Sequence, residues 1–180
     1  MRPCRELAVI LCCLLVALSR LSAFSTALAR HNGHVSNNDS GVCGENVTYQ
    51  VEDETLYIQG TGDMYDFFDT DRSRPWDLFS FTRVKIASGV TSVGSGAFYY
   101  SAGNGSPLTE VILPDTLGKI GENAFALCNN LEGLRLPESL RRIGSGAFSG
   151  CVKLEAVTIP AGAIYVAPCP FANRPGLALP

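Results

Sequence analysis

The side chains with chemistry to offer are seven cysteines, two histidines and a run of aspartates. Thiols can pair, ligate zinc or attack a carbonyl, but each needs partners at fixed spacing. No C-x-x-C pair occurs among Cys4, Cys12, Cys13, Cys43, Cys128, Cys151 and Cys169. Both histidines, His31 and His34, lie in a polar N-terminal stretch far from the later cysteines, which argues against zinc and against a Cys–His or Ser–His nucleophile. Asp63, Asp66, Asp69 and Asp71 could gather around Ca²⁺, but the glycine and terminal glutamate of an EF-hand loop are missing. That run reads as a solvated acidic loop. No phosphate-binding or dinucleotide fingerprint is present. The sequence therefore assigns no catalytic, cofactor or metal residue and points away from an enzyme. Asn38, Asn46 and Asn104 each head an N-x-S/T sequon, a glycosylation signal that matters only in a eukaryotic secretory pathway.

The start of the chain explains three of the cysteines. Arg2 and Arg5 precede an apolar run from Leu7 to Leu18, and Ala27-Leu28-Ala29 offers small residues for cleavage. This predicts a secretory signal peptide over residues 1–29. Twelve apolar residues make only about 18 Å of helix, short of a hydrocarbon core of about 30 Å. Its removal takes away Cys4, Cys12 and Cys13, and with Arg2, Arg5, Arg20 and Glu6 leaves a net charge of −5. That balance excludes a strongly basic nucleic-acid binder. No later stretch is apolar enough for a transmembrane helix. The polar residues 30–41 read as a flexible leader.

The rest is organised by repetition. Ile120-Gly121-Glu122-Asn123-Ala124-Phe125 recurs 23 residues on as Ile143-Gly144-Ser145-Gly146-Ala147-Phe148. Cys128 and Cys151, Leu131 and Leu154, and Pro114, Pro137 and Pro160 keep the same step. Val93-Gly94-Ser95-Gly96-Ala97-Phe98 is an earlier copy, 27 residues before Ile120, with the extra residues between Tyr99 and Pro107. A decayed later copy keeps Val166, Phe171 and Leu177. Before each proline, apolar residues alternate (Val111 and Leu113, Leu134 and Leu136, Val157 and Ile159), as on one face of a short strand. Such a unit cannot bury its own apolar face, whereas stacked units cover one another. The prediction is a repeat solenoid over 83–180: a parallel sheet on one face, turns and short helical segments on the other, the last repeat incomplete. Gly144 is expected to permit a sharp turn. Cys128 and Cys151 are expected to form a column of small buried side chains, although neighbouring coils are close enough for a disulfide.

Residues 42–82 precede the repeats. Val47, Tyr49 and Val51 alternate, Glu52-Asp53-Glu54 turns, and Leu56 and Ile58 alternate again, which predicts a β-hairpin capping the open edge of the first coil. Residues 39–77 carry a net charge of −8 and residues 83–160 one of +1, so the acidity belongs to the cap. Trp76 is expected in the cap core rather than on the surface.

The repeats resemble those of the BspA-like leucine-rich repeat family, which read roughly I-G-x-x-A-F-x-x-C-x-x-L-x-x-[VI]-x-[IL]-P. Ile120 to Pro137 and Ile143 to Pro160 match nearly every position. Cys43-Gly44-Glu45-Asn46, Leu56 to Gly62 and Pro75-Trp76 look like the segment preceding the repeats in such proteins. The commoner leucine-rich pattern has an asparagine where this chain has Ser139, so an asparagine ladder is absent. The resemblance implies a secreted or cell-surface protein that binds an extracellular or host protein, in some members adhesively. The outward strand positions Lys85, Ile112, Arg135 and Thr158 form the expected binding column, with Arg83, Glu110, Gly133 and Ala156 beside it. Tyr99 and Tyr100 are added as exposed aromatics of the insertion. A structural or truncated repeat fragment without a ligand is the alternative reading. A small secreted hydrolase using acidic-loop carboxylates is a remote one.

Overall fold

A computed structural model describes residues 39–68, 73–100 and 106–172. The expected signal peptide, His31, His34, Asn38, Asp69, Asp71, Asn104 and Leu177 lie outside them. The described strands are β1 (Asp39–Val42), β2 (Gly44–Glu52), β3 (Thr55–Met64), β4 (Arg83–Ile86), β5 (Val90–Val93), β6 (Glu110–Ile112), β7 (Lys119–Ile120), β8 (Arg142–Ile143) and β9 (Tyr165–Val166).

The first three strands run antiparallel. The β2–β3 turn is the two-residue loop Asp53-Glu54, closed by the Glu52–Thr55 pair. Both loop residues have positive φ, 46° and 57°, the geometry whose twist matches a hairpin. β1 pairs with the other side of β2, so residues 39–41, expected to belong to a flexible leader, stand in the sheet. Val47, Tyr49, Val51, Leu56 and Ile58 all point into the core, as their alternation requires.

From β3 onward all pairing is parallel, and β3 begins two ladders. Its first half, Thr55–Ile58, pairs with β4, and β4 with β6. Its second half, at Gly62 and Asp63, pairs with β5, followed by β7, β8 and β9. Gly60 lies between the halves at φ 116°, where a Cβ would stand 2.0 Å from the Asn46 carbonyl oxygen. Only glycine fits there.

The first ladder thus runs through β4 and β6 and continues into the next coil as the single Glu110–Gly133 bridge, while a second ladder runs through the Ile-Gly segments. One ladder was expected and two are present, because Lys119–Ile120 and Arg142–Ile143 alternate out and in as an extended chain does. The side expected to hold short helical segments holds turns, with no helix among the described residues. Gly96, Asn123, Gly146 and Cys169 occupy one repeat position, and all have φ between 49° and 65°. A left-handed residue there stops a helix. It also lets alternate amides reach the next coil: Phe98 N–H donates to Ala124 O (2.7 Å), Phe125 N–H to Ala147 O (2.8 Å) and Phe148 N–H to Pro170 O (2.8 Å).

Gly144 opens a hydrogen-bonded turn, its carbonyl accepting from Ala147 N–H at 3.3 Å, without itself having positive φ. A Cβ on it would meet the Glu122 amide nitrogen at 2.5 Å, and one on Gly121 would meet that of Ser95 at the same distance. These glycines serve the close approach of successive coils. The missing asparagine ladder is replaced by hydroxyls: Thr116 Oγ1 donates to Val90 O (2.9 Å) and Ser139 Oγ to Leu117 O (2.7 Å).

Inside the coils the large side chains make one column. Trp76, Phe98, Phe125, Phe148 and Phe171 stack in order, with centroid separations of 5.5, 5.1, 5.5 and 5.2 Å and interplanar angles of 19° or less. Trp76 is buried and donates from Nε1 to Ala97 O at 3.0 Å, with Tyr49 and Phe67 against it edge-on. Phe125 is fully enclosed mid-column. Phe125→Ala is expected to cost about 3–5 kcal/mol, the range for deleting a buried aromatic. Urea unfolding of the two proteins measures this; a loss below about 1 kcal/mol would show that the column collapses without penalty.

Candidate functional site

The first ladder carries the expected binding column. Tyr57, Lys85 and Ile112 are in-register neighbours on β3, β4 and β6. Lys85, Ile112, Arg135 and Thr158 are all exposed. Tyr57, half-buried at the head of the column, is absent from the sequence-based set. The β3–β4 register, which places it there, follows only once the hairpin's second strand is seen to start the ladder. Beside this column Thr55, Arg83 and Glu110 are in register, and a single bridge links Glu110 to Gly133. Arg83 and Glu110 are opposite charges on adjacent strands, the favourable cross-strand arrangement. Nothing lies within 4 Å of where a Cβ of Gly133 would stand. The face therefore has a dent, bordered by Glu110, Glu132 and Arg135.

Tyr99 and Tyr100 are not exposed aromatics on this face. Both are half-buried. Tyr99 packs edge-on against Phe68 at 5.8 Å, and its carbonyl accepts from the Arg74 guanidinium. Arg74 also pairs with Asp77 at 2.8 Å. Both tyrosines line a separate cleft with Phe79, Phe81 and Pro107. It holds about 80 Å³, well below the roughly 300 Å³ at which small-molecule sites begin. Of the sequons only Asn46-Val47-Thr48 falls among the described residues. Asn46 and Thr48 are exposed on β2 and flank the buried Val47.

The other chemistry-bearing residues have structural partners. Asp63 Oδ1 accepts from Thr91 Oγ1 at 2.6 Å, and hydrogen bonds from Thr91 and Ser92 hold its carboxyl below the ordinary carboxylate value. Asp66 Oδ1 accepts from Ser95 N–H at 2.6 Å. Burial works to raise the Asp66 carboxyl, but the Ser95 bonds and the Lys119 charge bring it down overall. These carboxylates tie the end of β3 and the segment after it to the first coil. Among the described residues no group of three His, Cys, Asp or Glu side chains is arranged to hold a metal ion.

Cys128 and Cys151 form the expected column as free thiols. Cys128 Sγ lies 3.3 Å from Phe98 O and Cys151 Sγ 3.1 Å from Phe125 O, each donating to the preceding coil. Burial raises the Cys128 thiol, as does the neighbouring Cys151. Burial likewise pushes Cys43 up to about 12. Cys169 is free and exposed.

Coils stacked at a 23-residue step, one of them lengthened by an insertion, inward Leu/Val/Ile columns, a phenylalanine spine and two parallel ladders define a leucine-rich-repeat solenoid. The BspA type leucine-rich repeat region is found in six copies over residues 77–178, more than half of the chain, and the chain belongs to that family. Solved structures share the fold. A leucine-rich repeat protein from Eubacterium ventriosum is 22% identical, with TM-score 0.53 over 71% of this chain and 40% of its own. One from Bacteroides capillosus is 24% identical, with TM-score 0.51 over 79% of this chain and 99% of its own. The Treponema pallidum leucine-rich repeat protein is 24% identical, with TM-score 0.47 over 69% of this chain and 63% of its own. The chain thus spans less than half of the Eubacterium protein. No curated protein matches it.

Two measurements test these assignments. Asp63 is held below its ordinary value of 3.8. Its bonds therefore stabilise the fold above that pH and are lost as acid protonates the folded carboxylate. Melting temperature should be flat near neutrality and fall in acid. Asp63→Asn should lower the neutral value and shrink the acid drop; an unchanged acid limb would remove Asp63 from it. For the thiols, alkylation mapped by mass spectrometry on the folded chain should mark Cys169 and spare Cys43, Cys128 and Cys151 until denaturant is added. Labelling of Cys128 in the native state would show that the column opens.

Proposed function

We propose that the chain is a secreted or surface-associated protein-binding module, without enzymatic activity, that attaches to an extracellular or host protein through its first ladder. The observation that carries this reading is the exposed column Lys85, Ile112, Arg135 and Thr158, headed by Tyr57. It offers two cations and an isoleucine 46% exposed on a backbone fixed by the coils beneath. Pre-organised side chains lose little freedom on binding, which is where a rigid repeat surface gains affinity. The dent at Gly133 gives a partner side chain room between charged walls. The N-terminal signal pattern supports export, and export brings this face to extracellular partners. The small cleft at Tyr99 and Tyr100 suits a contact at the rim of such an interface better than a small ligand.

Charge reversal tests the face without touching the core. Lys85→Glu and Arg135→Glu together should reduce attachment to immobilised extracellular-matrix protein by about tenfold or more, at unchanged melting temperature. Attachment equal to the parent's would move binding off the first ladder. Hydrolytic activity lost in Asp66→Asn and Asp69→Asn at unchanged melting temperature would instead favour a hydrolase.

A further inference from the structure

The outward column of the first ladder differs in charge from the rows beside it. It begins in the cap, where Tyr57 is in register with Gln50 on β2, and Gln50 with Ser40 on β1. It continues through Lys85, Ile112 and Arg135, the last two residues beyond the Glu110–Gly133 bridge. From Ser40 to Thr158 the column holds two cations and no acid. Among the described residues neither Lys85 nor Arg135 has a carboxylate partner. The carboxylates lie to either side. Glu110 stands opposite Arg83 on the adjoining strand. Glu132 pairs with Lys153 at 3.8 Å, and Glu155 lies beside that lysine. Glu52, Asp53 and Glu54 stand at the Arg83 end of the same row, where Arg83 donates to Asp53 O at 3.3 Å. Asp115 and Glu138 are exposed just past the proline corners. The column is a cationic line between acidic borders.

Spacing then selects the form of the occupant. Adjacent strands are about 4.8 Å apart, so Lys85 and Arg135, two coils apart, are separated by about 9.6 Å with Ile112 midway. An extended segment laid across the strands repeats its side chains on one face about every 6.8 Å, which matches neither step. It would also press unpaired backbone N–H and C=O groups against the column. An α-helix satisfies its backbone internally. On one face its residues i, i+3 or i+4, and i+7 follow one another at about 5.4 Å, and the outer two are about 10.5 Å apart. A carboxylate at i then meets Lys85, an apolar residue at i+3 or i+4 meets Ile112, and a carboxylate at i+7 meets Arg135. One turn earlier, an apolar residue meets Tyr57. Beside Arg135 the next row holds Gly133 and Ala156, small residues that leave room for a body about 10 Å wide. A second copy of this chain does not supply the occupant from its described residues, which contain no helix.

We infer that the first-ladder column takes an amphipathic α-helix of a partner protein, lying across the strands with acidic, apolar and acidic residues at i, i+4 and i+7. The inference rests on the reading of this ladder as the binding face and names what that face recognises. The acidic borders add selectivity. A helix acidic all round would set carboxylates against Glu110 and Glu132 on one side and Asp115 and Glu138 on the other, and like charges brought together reject a partner. The helix that fits keeps its carboxylates in one line.

The test uses the full chain and fluorescent alanine-rich helical peptides. The first carries Leu, Glu, Leu and Glu at i−4, i, i+4 and i+7. In the second the last Leu and Glu are exchanged, the third carries Lys for Glu, and the fourth has a proline at its centre, which breaks the helix. At low salt the first should bind and weaken as salt rises. The other three should bind about tenfold or more weakly. Ile112→Asp should weaken binding of the first by a similar factor. Lys85→Glu with Arg135→Glu should turn the preference to the Lys peptide, at unchanged melting temperature. If Ile112→Asp lowers the melting temperature, the charge-reversed protein decides. Absence of binding by the parent at about 1 mM peptide overturns the inference. So does equal binding of the exchanged or proline peptide, or an unchanged preference in the charge-reversed protein. Peptide failure with matrix-protein attachment still lost on charge reversal overturns the helix and leaves the face; peptide failure with attachment unchanged removes both.

Discussion

The stack of Trp76, Phe98, Phe125, Phe148 and Phe171 is the constraint that orders the coils. Flat rings stack near 5 Å, close to the 4.7–4.9 Å between hydrogen-bonded strands. The rings can therefore stay in contact while both ladders and the turn side keep their hydrogen bonds. A coil must return its phenylalanine to the same line each time, whatever its length. The coil carrying the insertion makes the point. Phe98 and Phe125 are 27 residues apart rather than 23, yet their rings are 5.1 Å apart. The added residues are absorbed outside the column, as expected when closing a somewhat longer loop costs little.

Other repeat positions follow from that spacing. Small residues stand wherever backbone meets backbone. Gly121 and Gly144 lie against the amides of the coil before, and Ala97, Ala124 and Ala147 flank the rings fully buried. Cys128 and Cys151 fit the same logic, since each thiol fills a small space and satisfies a phenylalanine carbonyl. The hydroxyls of Thr116 and Ser139 do for corner carbonyls what an asparagine would do with a larger side chain. Polar groups inside the stack are thus matched coil to coil, which a buried backbone requires.

The inward columns were legible because each was written several times at one step. Strand alternation at Val111–Leu113 and Leu134–Leu136 is plain for the same reason. The second ladder was not, because two-residue strands such as Lys119–Ile120 carry too little alternation to separate from a turn. The turn side was misread as helical, although the glycine and asparagine at Gly96, Asn123 and Gly146 signal left-handed backbone. Trp76 was placed in the core but not in the phenylalanine column. Its 22-residue distance from Phe98 is nearly the repeat step and was the available signal. Tyr57 required a register that crosses from hairpin to solenoid, which no local pattern carries. The exposed column beside it was readable, since outward positions follow from inward ones.

A stack held from inside leaves its outside free. Substituting an outward residue such as Lys85 or Arg142 changes neither the ring contacts nor the ladder bonds, so the surface can be varied at little cost to the fold. The ends are another matter. In the second ladder each coil's amides donate backward, from Gly144 to Ile120 and from Ala167 to Ile143, whereas on the turn side they donate forward, from Phe125 to Ala147 and from Phe148 to Pro170. The last described coil accordingly turns an acceptor outward at Val166, and the equivalent of the Phe148 amide there is that of Phe171.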